Sequence, residues 1–138
     1  MPKNLILNHN ELEILAKSLL EPILAKKIIT LQGDLGVGKT TLAKSICKIL
    51  EVSDEVTSPS YNILNIYDSN NGPIYHYDLY RIKAKNEIDN IAIDDAFNSY
   101  ITIIEWPELI KNFLPDEIIK IKIKDYTLNQ RKYIIDGL

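Results

Sequence analysis

Apolar residues recur along this chain in two rhythms, and the switch between them marks the elements. In "KIITL" (27–31) and "YITIIEW" (100–106) the apolar and β-branched residues run on almost without a polar break. That is the pattern of strands buried on both faces, as at the centre of a parallel sheet. "YNILNIYD", "PIYHYDLY" and "EIIKIKIKDY" alternate instead, which predicts half-buried strands. The first two are separated only by "SNNG" (69–72), a turn sequence, so they predict a β-hairpin. "NLIL" (4–7) and "RKYIIDG" (131–137) read as short outer strands. Helical spacing appears in three places. Leu12, Leu15, Ala16 and Leu19 line one face of a helix over 11–20, capped by Asn8 or Asn10. Leu42, Ile46, Ile49 and Leu50 do the same over 39–50, and a third helix is expected over 87–98. Strands and helices in this order predict an α/β layered fold with a mixed sheet, parallel at its centre, and an antiparallel hairpin at one side. With no repeat and no low-complexity linker, residues 1–138 are expected to form a single domain.

Between the strand at 28–32 and the helix at 39–50 lies "GDLGVGKT". This is G-x-x-x-x-G-K-T, the phosphate-binding loop pattern, in the strand-to-helix setting the pattern requires. It narrows the fold to a P-loop NTPase-like three-layer sandwich. Gly33, Gly36 and Gly38 let the backbone approach a ligand, so the N–H groups from Gly33 through Asp34, Leu35, Gly36, Val37 and Gly38 to Lys39, Thr40 and Thr41 form an anion nest. The helix N-terminus adds its partial positive charge. Lys39 is placed to reach the β- and γ-phosphates, and the Thr40 hydroxyl to ligate Mg²⁺. The plain alternative is a glycine-rich turn, and it explains neither the lysine nor the hydroxyl.

Composition adds limits. Hydrophobic residues make up 46% and charged residues 25%, ordinary for a soluble globular chain. The net charge of −3 provides no global basic field for DNA or an anionic membrane. No apolar run reaches the length of a membrane span, and "MPKNLILNHN" lacks the apolar core of a signal peptide. The single cysteine, Cys47, cannot form an internal disulfide, which fits a cytoplasmic location. On the helix after the loop it reads as a small buried apolar residue.

A phosphate loop needs metal support and something to direct the γ-phosphate, and three later stretches offer both. The hydroxyls of "TSPSY" (Thr57, Ser58, Pro59, Ser60 and Tyr61) read as a switch segment near the phosphate or its Mg²⁺, or as a simple capped turn. In "HYDLYR" the strand period puts Ile74, His76, Asp78 and Tyr80 on one face, with Asp78 placed to hold Mg²⁺ through water or to orient an attacking water. Arg81 could offset phosphate charge, but taken singly His76 reads better as a structural histidine and Arg81 as a surface ion pair. In "ITIIEWPE" an apolar run ends in Glu105, the strand-end acid expected beside Mg²⁺, followed by Trp106 as a core residue or a contact surface. Asp78 and Glu105 are both open as the main metal ligand.

"GDLGVGKTT", "TSPSY", "HYDLYR" and "IEWPE", in this order and spacing, resemble the TsaE (formerly YjeE) family, the bacterial ATPases of tRNA threonylcarbamoyladenosine synthesis. The likeness covers nearly the whole chain. It implies that Gly33 to Thr41 bind ATP or ADP, that Thr40 and Glu105 support Mg²⁺, that Asp78 is needed for hydrolysis, and that 57–61 act as a switch. It implies a nucleotide contact from Arg131, five residues after Tyr126, and partners in TsaB and TsaD, the latter transferring threonylcarbamoyl to an adenosine of tRNAs that read ANN codons. The tRNA is then an indirect partner, and hydrolysis resets the complex between turnovers. His76 and Trp106 are expected to report nucleotide or partner binding. Three positions depart from the family pattern: Ser60 replaces a usual threonine, Gln130 a frequent glycine, and Leu12 a threonine near the base.

Other functions fit less well. A small P-loop kinase needs an acceptor pocket and a lid rich in arginine, and this chain has only Arg81 and Arg131. A GTPase needs N-K-x-D, which "NEID" does not supply. A nucleotide-dependent interaction module without hydrolysis has the same sequence signature as a slow ATPase.

Overall fold

A computed structural model describes residues 2–59, 61–83 and 93–138. Its strands are β1 (Lys3–Asn8), β2 (Ile28–Gln32), β3 (Leu64–Tyr67), β4 (Ile74–Asp78), β5 (Ile101–Glu105), β6 (Ile119–Thr127) and β7 (Gln130–Asp136). Its α-helices are α1 (Leu12–Lys26), α2 (Lys39–Ile49) and α3 (Ile93–Ser99). The seven strands form one sheet in the order β1-β7-β6-β2-β5-β4-β3. β2 pairs in parallel with β5 and β6, and β5 in parallel with β4. The expected parallel centre and the β3–β4 hairpin are both present. Antiparallel pairing also occupies the other side, where the β6–β7 hairpin takes β1 as its outer strand, an arrangement that the single expected hairpin did not include.

Side chains alternate across the sheet, so each strand feeds two apolar layers. Ile29 and Leu31 of β2, Ile101 and Ile103 of β5, and Ile119, Ile121 and Ile123 of β6 pack under α1 and α2. On the opposite face, Ile28, Tyr77 and Ile104 pack with Ile93 and Ala96 of α3 and with Ile110 of a 3-10 segment at Pro107–Phe113.

Two elements differ from the sequence reading. α1 runs to Lys26 rather than ending near Leu20, with Pro22 inside it. A proline costs the helix one hydrogen bond, but Ile23, 1% exposed, anchors the last turn in the core until Lys27 takes a left-handed φ of 72°. The N-terminal cap sits on a 3-10 turn (His9–Glu11), where the Asn8 N–H donates to Glu11 Oε1 at 2.9 Å. Of the expected third helix, 93–98 lie in α3 and 87–92 lie outside the described residues.

Candidate functional site

The loop from Gly33 to Gly38 leaves β2 at its carboxyl end and turns directly into α2. Its first glycine is set by crowding: a Cβ on Gly33 would lie 2.6 Å from the Ile123 carbonyl oxygen and 2.7 Å from Val37 Cγ1. Its last is set by conformation, since Gly38 starts α2 at a φ of 111°, which side chains with a Cβ rarely adopt. Lys39 is bent back over the loop. Its Nζ donates to the carbonyls of Gly33 (2.7 Å) and Asp34 (2.9 Å) and lies 4.2 Å from the Trp106 ring centroid. Burial lowers its pKa from the ordinary lysine value, while the charges of Glu105, Asp78, Glu108 and Asp34 oppose the shift.

The two acids are neighbours across the sheet. Asp78 ends β4, Glu105 ends β5, and the parallel register sets them side by side, one strand apart. Both are buried, at 3% and 2% exposure. Alternation turns Ile74, His76 and Asp78 to the face that carries α2, as their spacing predicts. It stops there: the Tyr80 N–H donates to Asp78 Oδ1 at 3.0 Å, and the half-exposed Tyr80 ring packs on Trp106. Thr40 Oγ1 donates to the Glu105 carboxylate, 2.9 Å from Oε1 and 3.0 Å from Oε2. The Glu105 oxygen Oε2 also meets His76 Nε2 at 2.6 Å.

Lys39, Thr40, Asp78, Glu105, Trp106 and Ser58 share the wall of a hollow of about 250 Å³ with Leu35 and Gly36. Gly36, Gly38 and Thr41 separate it from a larger hollow of about 590 Å³, lined also by Asn8, Asn10, Leu12, Leu128 and Arg131. A hydroxyl and two carboxylates in one hollow are hard oxygen donors suited to Mg²⁺. Among the described residues no group of three or more His, Cys, Asp or Glu forms a complete metal cage. Mg²⁺ commonly needs only one or two protein oxygens when phosphates supply others, so the residues fit it.

Several sequence-chosen residues have unexpected settings. His76 is wholly buried, with Tyr67 on one ring nitrogen and Glu105 on the other, so a partner meets it only through those side chains. Trp106 holds a left-handed φ of 57° at the end of β5, and its ring is part-buried rather than core. In the 57–61 segment, Thr57, Ser58 and Tyr61 are exposed and Pro59 is buried, while Ser60 lies outside the described residues. Arg81 is not in a surface ion pair with a described acid; its guanidinium lies 4.2 Å from the Tyr61 ring centroid. Arg131 reaches the larger hollow while pairing with Asp125 at 3.0 Å, but Tyr126 is 56% exposed and lines neither hollow.

Sequence reasoning passed over Tyr67 and Leu128, and took Asn8 only as a helix cap. Tyr67 was read only as one apolar position of a hairpin. Asn8 and Leu128 come from opposite ends of the chain and meet at the larger hollow only because β1 pairs with β7.

Comparison with known proteins gives the family and the fold. The family described as "Threonylcarbamoyl adenosine biosynthesis protein TsaE" matches residues 6–133. A tRNA threonylcarbamoyladenosine biosynthesis protein TsaE of Rickettsia felis is 38% identical over 125 residues, 90% of this chain and 73% of the relative. The protein of the same description from Bacillus subtilis is 37% identical over 98 residues, 70% of this chain and 61% of the relative. The crystal structure of Bacillus subtilis YdiB superposes with a TM-score of 0.69 at 30% identity, covering 98% of this chain and 86% of that one. A P-loop NTPase-like sheet and a family match over almost the full length lead to one assignment: the chain belongs to the TsaE family of threonylcarbamoyl adenosine biosynthesis.

Proposed function

We propose that this chain is the ATP-binding and ATP-hydrolysing component of tRNA threonylcarbamoyladenosine synthesis, acting in the cytoplasm on a TsaB–TsaD complex to support repeated turnover. The observation that carries the reading is the contact of Thr40 Oγ1 with both oxygens of Glu105, at 2.9 and 3.0 Å, at the mouth of the phosphate loop. It joins a loop suited to phosphate to an acid suited to a metal. In this reading the N–H groups of 33–41 and the Lys39 ammonium hold the β- and γ-phosphates. The larger hollow, beside Arg131, takes the nucleoside.

Thr40 and Glu105 would hold Mg²⁺, with Asp78 next to them. Bound there, Mg²⁺ would offset charge on the phosphate oxygens. Asp78 accepts a proton from, and orients, the attacking water. Its burial beside Glu105 gives it a fixed position, and the Tyr80 N–H holds one of its oxygens. Lys39, stacked on the Trp106 ring, forms one side of the hollow's wall. A chain built almost wholly around one nucleotide site acts usefully only if a partner binds its two nucleotide states differently. Ser58 and the exposed Tyr61 lie where a partner could sense that difference.

The deciding experiment is multiple-turnover modification of an ANN-decoding tRNA by purified components that include the TsaB–TsaD complex. Wild type should sustain turnover, and Asp78→Ala should bind ATP yet support little beyond the first round. Equal modification with wild type, with the variant and with neither would sink the proposal.

A further inference from the structure

A line of hydrogen bonds crosses three strands and joins the two segments that face the smaller hollow. Tyr67 donates its hydroxyl proton to the Thr57 carbonyl at 3.0 Å. The same hydroxyl lies 3.0 Å from His76 Nδ1. His76 Nε2 lies 2.6 Å from Glu105 Oε2, and Thr40 Oγ1 donates to Glu105. One end is the backbone of the 57–61 segment and the other is the second residue of α2. The middle is out of water: Tyr67 is 4% exposed, His76 0% and Glu105 2%. Strand pairing fixes each step. His76 sits opposite Asn65 on β3 and Ile103 on β5, so its ring lies between Tyr67 and Glu105, each two residues further along its strand. Asn65 reinforces the far end, with Nδ2 3.3 Å from the Thr57 carbonyl.

Packing alone does not require this arrangement. Apolar side chains of similar size would fill the space under α2 at less desolvation cost than a phenol, an imidazole and a carboxylate. What the polar line adds is orientation. A carboxylate held by Thr40 on one side and His76 on the other has a defined direction, and His76 is held in turn by Tyr67.

We propose that Tyr67 and His76 are positioning residues: they aim the Glu105 carboxylate at Thr40 and tie it to the Thr57 backbone. The 57–61 segment then answers directly to what is bound at Thr40 and Glu105. Neither ring touches a ligand, and both act through Glu105. The inference rests on the nucleotide reading of the hollow.

The test uses the full chain and a fluorescent ATP analogue. Affinity is measured in Mg²⁺ and in EDTA, and amide hydrogen exchange of residues 55–59 is followed with and without Mg²⁺ and the analogue. Tyr67→Phe removes one hydroxyl and keeps the ring. It should bind within about twofold of wild type in EDTA, and its gain in affinity from Mg²⁺ should fall about fivefold, the scale of one hydrogen bond. The protection that ligand confers on Thr57 should also disappear. His76→Gln should act in the same direction, and combining it with Tyr67→Phe should add little, because both break one line. If His76→Gln does not fold, Tyr67→Phe decides alone. A wild-type Mg²⁺ gain together with wild-type protection in Tyr67→Phe overturns the positioning role while leaving the nucleotide site standing. Failure of wild type itself to bind the analogue overturns both.

Discussion

The two halves of the sheet solve the same problem differently. β2, β5 and β4 are covered on both faces, by α1 and α2 on one side and by α3 with the 3-10 segment on the other. β6, β7 and β1 are covered on one face. Ile119, Ile121 and Ile123 point under the helices, while Lys120, Lys122 and Lys124 are exposed, the first two along a groove of about 440 Å³. In the open half a charged residue is the ordinary outcome of alternation and says little about function. In the covered half it has to be bonded or it destabilises the fold. His76, Asp78 and Glu105 are all there, next to the phosphate loop. A polar residue is informative in proportion to how completely its strand is covered.

Three substitutions sharpen or break that contrast. The largest effect is expected from Ile103→Ala in the covered half. Removing a side chain with 0% exposure should cost about 2–5 kcal/mol in urea unfolding. A loss under about 1 kcal/mol would mean the covered core repacks easily, and the contrast would fail. Next is Lys39→Ala, which takes away the loop's only buried cation. ATP affinity by equilibrium titration should fall on the order of 100-fold, about 2.7 kcal/mol, with the fold retained. Binding equal to wild type would remove the phosphate-loop assignment. The smallest is Lys122→Ala on the open face, expected to change unfolding free energy by no more than about 0.5 kcal/mol. A cost comparable to that of Ile103→Ala would show that this face is covered in solution.

The legible parts of the molecule were those set by neighbours in sequence. The loop, β2 and α2 could be read because a local pattern and its flanks demand the same geometry. The face shared by His76 and Asp78 followed from strand period alone. Pro22 misled because its local cost is real, and only the burial of Ile23 outweighs it. The antiparallel side was half seen: β6 and β7 were each readable as strands, but nothing local says that the N-terminal strand returns to pair with the last one. The same holds in the site. That Thr40 chooses Glu105, and that Tyr67 reaches His76, depends on which strands become neighbours, and pairing between distant segments leaves no mark in any one of them.

Cys47 lies in α2 among core side chains with 0% exposure, and burial pushes its thiol pKa up to about 12. A thiol in that setting is neither ionised nor reachable at neutral pH, and it is the only one in the chain. The native protein is therefore a silent background for single-site chemistry. A cysteine placed at Leu35 or Tyr61, 73% and 83% exposed, would be the sole position to take a maleimide dye or spin label. Leu35 on the wall of the smaller hollow, or Tyr61 on the segment that also holds Ser58, can then carry one probe at a time without first stripping a native thiol from the core.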